Sequence, residues 1–288
     1  MRTEELMKIT DAEISEYIDR LTEETGLYIS LHGEIITDIK LVKYNFHKNP
    51  YCQYVKTVCG GWSYCVKKQK KVFFLCKNGD FFGSCYAGVG EYIYPLMNGD
   101  RVIGFISVSG YDDSKSASVS AKIKHFCQKY RIDENELYEQ RRFYLSADIP
   151  PKEQIDKLIR PLQHMLEVYY SYESRQESQT ESDVIFKTVL RYINENHTAK
   201  ITMQELSRRF NFSVSSISHA FKKKTGMSLS DYVNRLRLIE AEWLLRSSDF
   251  SVLQISGLLG FCSSAYFSTV FKKSYGLSPQ EYRKVNKK

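Results

Sequence analysis

The feature that most constrains this 288-residue chain is a duplication near its C-terminus. Thr202–Tyr232 (TMQELSRRFNFSVSSISHAFKKKTGMSLSDY) and Ser251–Tyr282 (SVLQISGLLGFCSSAYFSTVFKKSYGLSPQEY) align, with one extra residue in the turn of the second copy. Phe221-Lys222-Lys223 answers Phe271-Lys272-Lys273, and Gly226, Ser228 and Tyr232 answer Gly276, Ser278 and Tyr282. Each copy carries the punctuation of three helices. Thr202 with Glu205, and Ser251 with Gln254, have the spacing of capping boxes that open a short helix. Asn211 and Gly260 tolerate the left-handed backbone needed where that helix ends. Ser213 and Ser263 then cap a second helix, which runs to the basic pair and stops before Gly226 or Gly276. Ser228 with Asp231, and Ser278-Pro279 with Glu281, open a third helix, and Pro279 sits where its missing N–H costs nothing.

Helix, tight turn, helix is the geometry that lays a second helix in the major groove of DNA. Leu206, Phe210, Phe212, Ile217 and Phe221 form the inward set of the first unit, repeated by Ile255, Leu259, Phe261, Phe267 and Phe271. The outward candidates are Ser215, Ser216, Ser218 and His219, then Ser264, Ala265, Tyr266, Ser268 and Thr269. Serine bonds base edges or phosphates alike, so these side chains fix little about the sequence read. Lys222, Lys223, Lys272, Lys273, Arg235 and Arg237 are candidates for phosphate neutralisation, although charge runs also form plain solvated faces.

Charge is distributed to match. Val184–Lys288 holds 17 Lys and Arg against 7 Asp and Glu, while residues 1–183 hold 24 against 27. A basic half beside a near-neutral one implies a polyanion partner for the basic half. No segment reaches the run of apolar residues that a membrane helix needs, and the opening MRTEELMKITDAEISEY lacks a secretory core. The expectation is a cytoplasmic protein with no membrane partner. Glu173–Asp183 (ESRQESQTESD) has no aliphatic or aromatic residue and reads as an exposed linker or a frayed helix end between a domain at 1–172 and one at 184–288.

Ahead of that linker, residues 152–172 carry a helical pattern. Ile155, Leu158, Leu162, Met165, Tyr169 and Tyr172 form a seam, interrupted by Pro161, for a homodimer partner or for the helix's own domain. Helical patterns at 11–24 and 116–130 flank the β-like runs LYISLHGEIIT, KVFFLCKNGDFFGSCYAG, YIYPLM and RVIGFISVSGY, with a hairpin turn at NGD 98–100. This is a mixed α+β domain with a mainly antiparallel sheet. Cys52, Cys59, Cys65, Cys76 and Cys85 cluster within it, with no C-x-x-C pair to support a zinc knuckle. Packing is the plain reading of these cysteines; a looser thiolate metal site or a redox thiol stays open.

Residues 184–288 resemble the AraC/XylS family of transcription regulators, through NRLRLIEAEWLLRSSDFSVLQISGLLGFCSSAYFSTVFKKSYGLSPQEYRK with its Gly-Phe, Phe-Lys-Lys and Ser-Pro-x-x-Tyr-Arg elements. The resemblance implies an all-α domain in which a linker helix near Leu229–Leu245 joins two helix-turn-helix units on successive major grooves. It makes Ser215, Ser218, His219, Ala265, Tyr266 and Thr269 the base readers, while Ser207 and Ser256 stand where the family commonly has alanine. Residues 51–111 resemble the PocR sensory domain, a PAS-like module for small organic metabolites such as short diols. That resemblance rests on Tyr51-Cys52, Cys65, Ser84-Cys85-Tyr86-Ala87-Gly88, Tyr94-Pro95-Leu96 and Gly104.

The candidate ligand set is Phe46, Cys52, Trp62, Cys65, Cys85 and Tyr86, with Tyr64 and Phe82 nearby. The expected function is a ligand-responsive transcription regulator, an activator that touches RNA polymerase, with no cofactor or metal. The alternative is a thiol- or metal-dependent sensor, or an alkyl-acceptor enzyme, fused to a DNA-binding module. Nothing at recognisable spacing forms a nucleophile–base pair, a phosphate loop or paired catalytic carboxylates.

Overall fold

A computed structural model describes residues 9–33, 39–57, 59, 61–176 and 180–287, without the side chains of 39, 40, 57, 62, 63, 66, 173–176 and 195. The chain divides into two units, 1–176 and 177–288.

The first unit runs α1 (Asp11–Thr25), β1 (Tyr28–Gly33), α2 (Ile39–Val42), α3 (Pro50–Thr57) and α4 (Trp62–Leu75). It continues with β2 (Phe81–Ser84), β3 (Val89–Asn98), β4 (Arg101–Asp112), α5 (Ala117–Tyr130), α6 (Glu134–Tyr144) and α7 (Lys152–Gln176). Thr10 and Glu13 close a reciprocal capping box on α1, and left-handed Gly26 ends it. The strands form one antiparallel sheet in the order β1-β4-β3-β2. β3 turns into β4 through Gly99 and Asp100, where Gly99 takes φ +59° as a two-residue hairpin requires.

Strand side chains alternate, so the sheet has two different faces. Tyr92 and Tyr94 point one way: their hydroxyls donate to Pro150 O at 2.6 Å and to Asp156 Oδ1 at 2.8 Å. α7 lies on β3 and α1, fastened further by Gln163 Nε2 donating to Pro95 O (2.6 Å) and Met97 N donating to Glu167 Oε1 (2.9 Å). Its buried seam is Ile155, Ile159, Leu162, Leu166, Tyr169 and Tyr170, while Leu158 and Met165 are half-buried and Tyr172 is exposed. The seam therefore serves its own domain. The helix continues through exposed Pro161, whose lost hydrogen bond falls on the solvent side near exposed Lys157.

On the other sheet face, Ile93 and Phe105 pack with Val72 and Cys76. Of the run KVFFLCKNGDFFGSCYAG, Phe81–Ser84 is strand as expected, but KVFFL is the end of α4 and Cys76 opens a short 3-10 turn. The β-branched and aromatic residues of KVFFL fit either element, and the helical phase already set from Trp62, with Val72 and Cys76 four apart against the sheet, decides the outcome.

The second unit is all helical: α8 (Glu181–Asn196), α9 (Met203–Phe210), α10 (Val214–Thr225), α11 (Leu229–Ser247), α12 (Val252–Leu258), α13 (Ser264–Tyr275) and α14 (Pro279–Asn286). Thr202, Ser213, Ser228, Ser251, Ser263 and Ser278 all cap as their spacing implies. Asn211 (φ +57°) and Gly260 (φ +73°) are left-handed. One detail differs: Glu205 does not return to its cap but accepts from Tyr192 Oη at 2.8 Å. The expected 173–183 linker also carries structure, because α7 reaches Gln176 and Thr180 with Asp183 closes a capping box on α8.

Ile255, Leu259, Phe261, Phe267 and Phe271 form one core with Leu238, Leu244 and Leu245 of α11. Each such large apolar side chain contributes about 1.5–3 kcal/mol on full burial. In the first half Leu206, Ile217 and Phe221 are buried, and Phe210 and Phe212 only partly so. α8 closes that half by setting Phe186 edge-on to Phe221, ring centres 5.0 Å apart.

Candidate nucleic-acid interface and ligand cavity

α3, α4 and the polar face of the sheet enclose a cavity of about 50 Å³. At roughly 10–15 Å³ per water-sized group, it has room for about four such groups. β1 supplies His32, β3 supplies Glu91, and β4 supplies Phe105. Cys52, Val55 and Lys56 come from α3; Cys65, Lys68, Gln69 and Val72 from α4; Cys85, Tyr86 and Ala87 from the chain entering β3 and Val89 from its first position; and His47 precedes α3. Antiparallel register aligns Ser30 with Ser107 and His32 with Phe105, so small and polar groups replace the usual apolar stripe.

Most of these polar groups are held by the protein. His32 Nε2 lies 3.2 Å from His47 Nε2 and 3.1 Å from Ser30 Oγ. Glu91 Oε2 accepts from Ser107 Oγ at 2.7 Å. Tyr86 Oη donates to Gly61 O at 2.9 Å and lies 3.2 Å from Cys65 Sγ. Lys68 Nζ donates to Ser84 O at 2.6 Å.

Burial dominates the protonation of this set. It pulls His32 down to about 3, with the Lys56 charge adding to the effect, and it holds His47 well below the usual imidazole range. Both rings are neutral at pH 7, each with one donor and one acceptor nitrogen. Burial raises the Glu91 carboxyl, and pushes the Cys85 thiol up to about 11 and those of Cys52 and Cys65 upward. A thiol attacks or binds metal as thiolate, so these three behave as weakly polar packing groups. Among the described residues no group of three or more His, Cys, Asp or Glu is arranged to hold a metal. The cavity can therefore exchange hydrogen bonds with a small polar molecule against an apolar backing.

Four of the six expected ligand residues line the cavity: Cys52, Cys65, Cys85 and Tyr86. Phe46 is buried but not part of the wall, and the side chain of Trp62 lies outside the described residues. Cys59 and Cys127 do not line the cavity but pack behind its wall, in one core with Cys52, Val55, Ala87, Val89, Ile123 and Phe126. The sequence reading missed His32, His47, Lys56, Lys68 and Glu91. A signal existed for two of them, a histidine and a glutamate set at alternate positions inside apolar strand runs.

In the second unit α10 and α13 present matching outer faces. Ser215, Ser218, His219, Lys222 and Lys223 are exposed, and with Val214 they line one shallow depression. Ser216 is half-buried, its hydroxyl 2.8 Å from that of Ser213. On α13, Ala265, Tyr266, Thr269, Lys272 and Lys273 are exposed and Ser268 is half-buried. Lys224, the third lysine of its run, pairs with Asp183 at 2.6 Å and holds that carboxyl well below its usual range.

Arg235 of α11 is exposed, but Arg237 is not. Its guanidinium is buried, with Nε donating to His197 O at 2.7 Å and a terminal nitrogen to Ala199 O at 2.8 Å. The expectation that Arg237 neutralises a phosphate is corrected: the side chain is buried, and its Nε and one terminal nitrogen hold the turn between α8 and α9. Gly260 packs against the same turn, where a Cβ would meet Thr198 O at 2.1 Å.

Two family models match this chain. Residues 8–172 match the sensory domain found in PocR, and residues 206–285 match a helix-turn-helix domain. The first match covers more than half of the chain, which belongs to the family of proteins carrying the PocR sensory domain, here with an AraC-type DNA-binding region behind it. The chain is 25% identical over 306 aligned positions to the regulatory protein PocR of Salmonella typhimurium, with 93% of each covered. It is 38% identical over 102 residues to the uncharacterized HTH-type transcriptional regulator YdiP of Escherichia coli, covering 35% of this chain and 34% of that protein. It is 33% identical over 110 residues to the HTH-type transcriptional activator RhaS of Salmonella schwarzengrund, covering 38% of this chain and 40% of that protein. Among the described residues no helix is long and apolar enough to cross a membrane.

Proposed function

We propose that this chain is a metabolite-responsive activator of transcription, in which a small polar organic molecule seats in the cavity of the first unit and shifts the DNA affinity of the second. The observation that carries this reading is the cavity itself, hydrogen-bonding groups with two neutral imidazoles among them around space for about four water-sized groups. The protein partners most of these groups once, and a short hydroxylated metabolite fits the donor and acceptor capacity that remains. The strand β1 beside β4 and not β2 supports the PAS-like reading of this unit. Residues 1–172 sense, 173–183 connect and 184–288 bind double-stranded DNA, in the cytoplasm.

The base readers in this proposal are Ser215, Ser218, His219, Ala265, Tyr266 and Thr269, with Lys222, Lys223, Lys272, Lys273 and Arg235 on phosphates; their exposure supports the assignment. Activation, with its contact to RNA polymerase, is supported by likeness to a protein named as an activator. A homodimer, if formed, uses another surface than the α7 seam. The alkyl-acceptor alternative loses support from the raised thiols.

The test is a thermal-shift screen of short diols, hydroxy acids and small alcohols against the full chain and its Cys85→Met variant, which fills the cavity. Compounds that stabilise the wild type and not the variant support the reading. Stabilisation shared by both places the ligand elsewhere.

A further inference from the structure

The two recognition helices do not offer DNA the same chemistry. On α10, Ser215 and Ser218 are exposed and have no hydrogen-bond partner among the described residues, and His219 stands exposed beside them. This face is polar. On α13 the Ser268 and Thr269 hydroxyls donate back to the helix's own carbonyls. Thr269 Oγ1 donates to Ala265 O at 3.0 Å, and Ser268 Oγ donates to Ser264 O at 2.8 Å. Tyr266 Oη accepts from Asn234 Nδ2 of α11 at 2.8 Å, which pins the ring beside Phe261. A threonine whose hydroxyl turns back onto its own helix leaves its methyl as the outward group. At the three exposed positions ahead of the lysines of α13, DNA therefore meets the Ala265 methyl, the Thr269 methyl and Tyr266. Ser264, in the first turn and half-buried, is the polar exception.

The major groove has one apolar feature, the C5-methyl of thymine, and alanine and threonine methyls are its partners. We infer that α13 specifies its half of the operator by apolar contact with thymine methyls, Thr269 and Ala265 being the specificity-determining residues, while α10 specifies the other half by hydrogen bonds. The inference rests on the proposal that both helices lie in major grooves. It goes beyond that proposal by assigning each helix a different readout. A cytosine, or a uracil, in place of the contacted thymine leaves the two protein methyls facing water in the groove.

The experiment selects a high-affinity duplex for the full chain from a randomised pool, then replaces each thymine in turn by deoxyuracil, which removes the C5-methyl alone. Affinities are measured at fixed salt for the wild type, Thr269→Ser, Thr269→Val and His219→Ala. Losing one buried methyl contact corresponds to a weakening of about four-fold. At one or more thymines the wild type is expected to lose about four-fold with uracil. Thr269→Ser, which deletes the methyl, loses as much on the thymine duplex and then ignores uracil at that position. Thr269→Val, which deletes the hydroxyl, binds as well as the wild type.

If Thr269→Val weakens binding and no uracil matters, α13 reads through its hydroxyl and the methyl inference is overturned, with the groove placement intact. If neither the Thr269 variants, nor His219→Ala, nor any uracil changes affinity, the placement of both helices falls and takes the inference with it.

Discussion

Replacing Arg237 separates a structural guanidinium from a DNA-binding one. In the structure it spans the carbonyls of His197 and Ala199 at 2.7 and 2.8 Å and lies 5.6 Å from the centre of the Phe261 ring. A buried hydrogen bond from a charged donor contributes about 1.5–3 kcal/mol, so two give about 3–6 kcal/mol before any ring contact. Some of that returns as water reaches the freed carbonyls, and Arg237→Ala is expected to cost about 4 kcal/mol of stability. Arg237→Lys keeps the charge but cannot present the same fork, and is expected to cost about 2 kcal/mol.

The assay is urea unfolding of the full chain carrying Trp62→Phe, followed by the fluorescence of Trp243, which packs on the core of the second unit. Alongside it runs the salt dependence of DNA affinity. Each lost phosphate contact reduces the slope of log affinity against log salt by about 0.9. Exposed Arg235→Ala is expected to lower that slope with stability unchanged. Arg237→Lys is expected to lower stability with the slope unchanged. An Arg237→Lys chain of wild-type stability and reduced salt slope would refute the reasoning.

Acid is expected to destabilise the sensory unit through His32. Its imidazole titrates at about 3 in the folded chain and near 6.5 when free, so below pH 6.5 the unfolded chain takes up a proton that the folded one refuses. The loss approaches about 1.4 kcal/mol per pH unit, or about 2 kcal/mol by pH 5, and continues until the folded value is reached. Comparing urea midpoints of wild type and His32→Gln from pH 7.5 to 5 cancels the opposite pull of the raised Glu91 carboxyl; parallel curves would contradict it. In native protein at pH 7.5, iodoacetamide should modify exposed Cys262 well before Cys52 or Cys85, as read by peptide mass. Comparable rates would mark an activated cavity thiol and return the alkyl-acceptor reading. Gly260→Ala forces a Cβ against Thr198 O at φ +73°, and a loss of at least about 2 kcal/mol on thermal unfolding is expected; unchanged melting would contradict that close approach.

What was legible in the sequence follows the range of the forces involved. The caps of the second unit act over three residues, so Ser213, Ser263 and the Ser278-Pro279-x-Glu281 start are written locally and hold in the structure. Arg237 was misassigned because charge in a sequence does not say whether a side chain is spent on a distant carbonyl 40 residues away. KVFFLC read as strand because composition cannot weigh a helical phase set ten residues earlier. The cavity was legible through its cysteines on α3, α4 and the Ser84–Gly88 run. Its titratable half was not, since His32, Lys56, Lys68 and Glu91 meet only once β1 pairs with β4 and α3 and α4 cover that face.

The account stands or falls on coupling between cavity and DNA. The direct measurement is the affinity of the full chain for its selected duplex at fixed salt, titrated with a compound that stabilises the wild type but not Cys85→Met. The account predicts that the wild-type affinity rises about ten-fold as the compound saturates, within the usual range of allosteric coupling, and that Cys85→Met stays flat. Cavity occupancy that leaves DNA affinity unchanged, or an equal shift in both proteins, would contradict it.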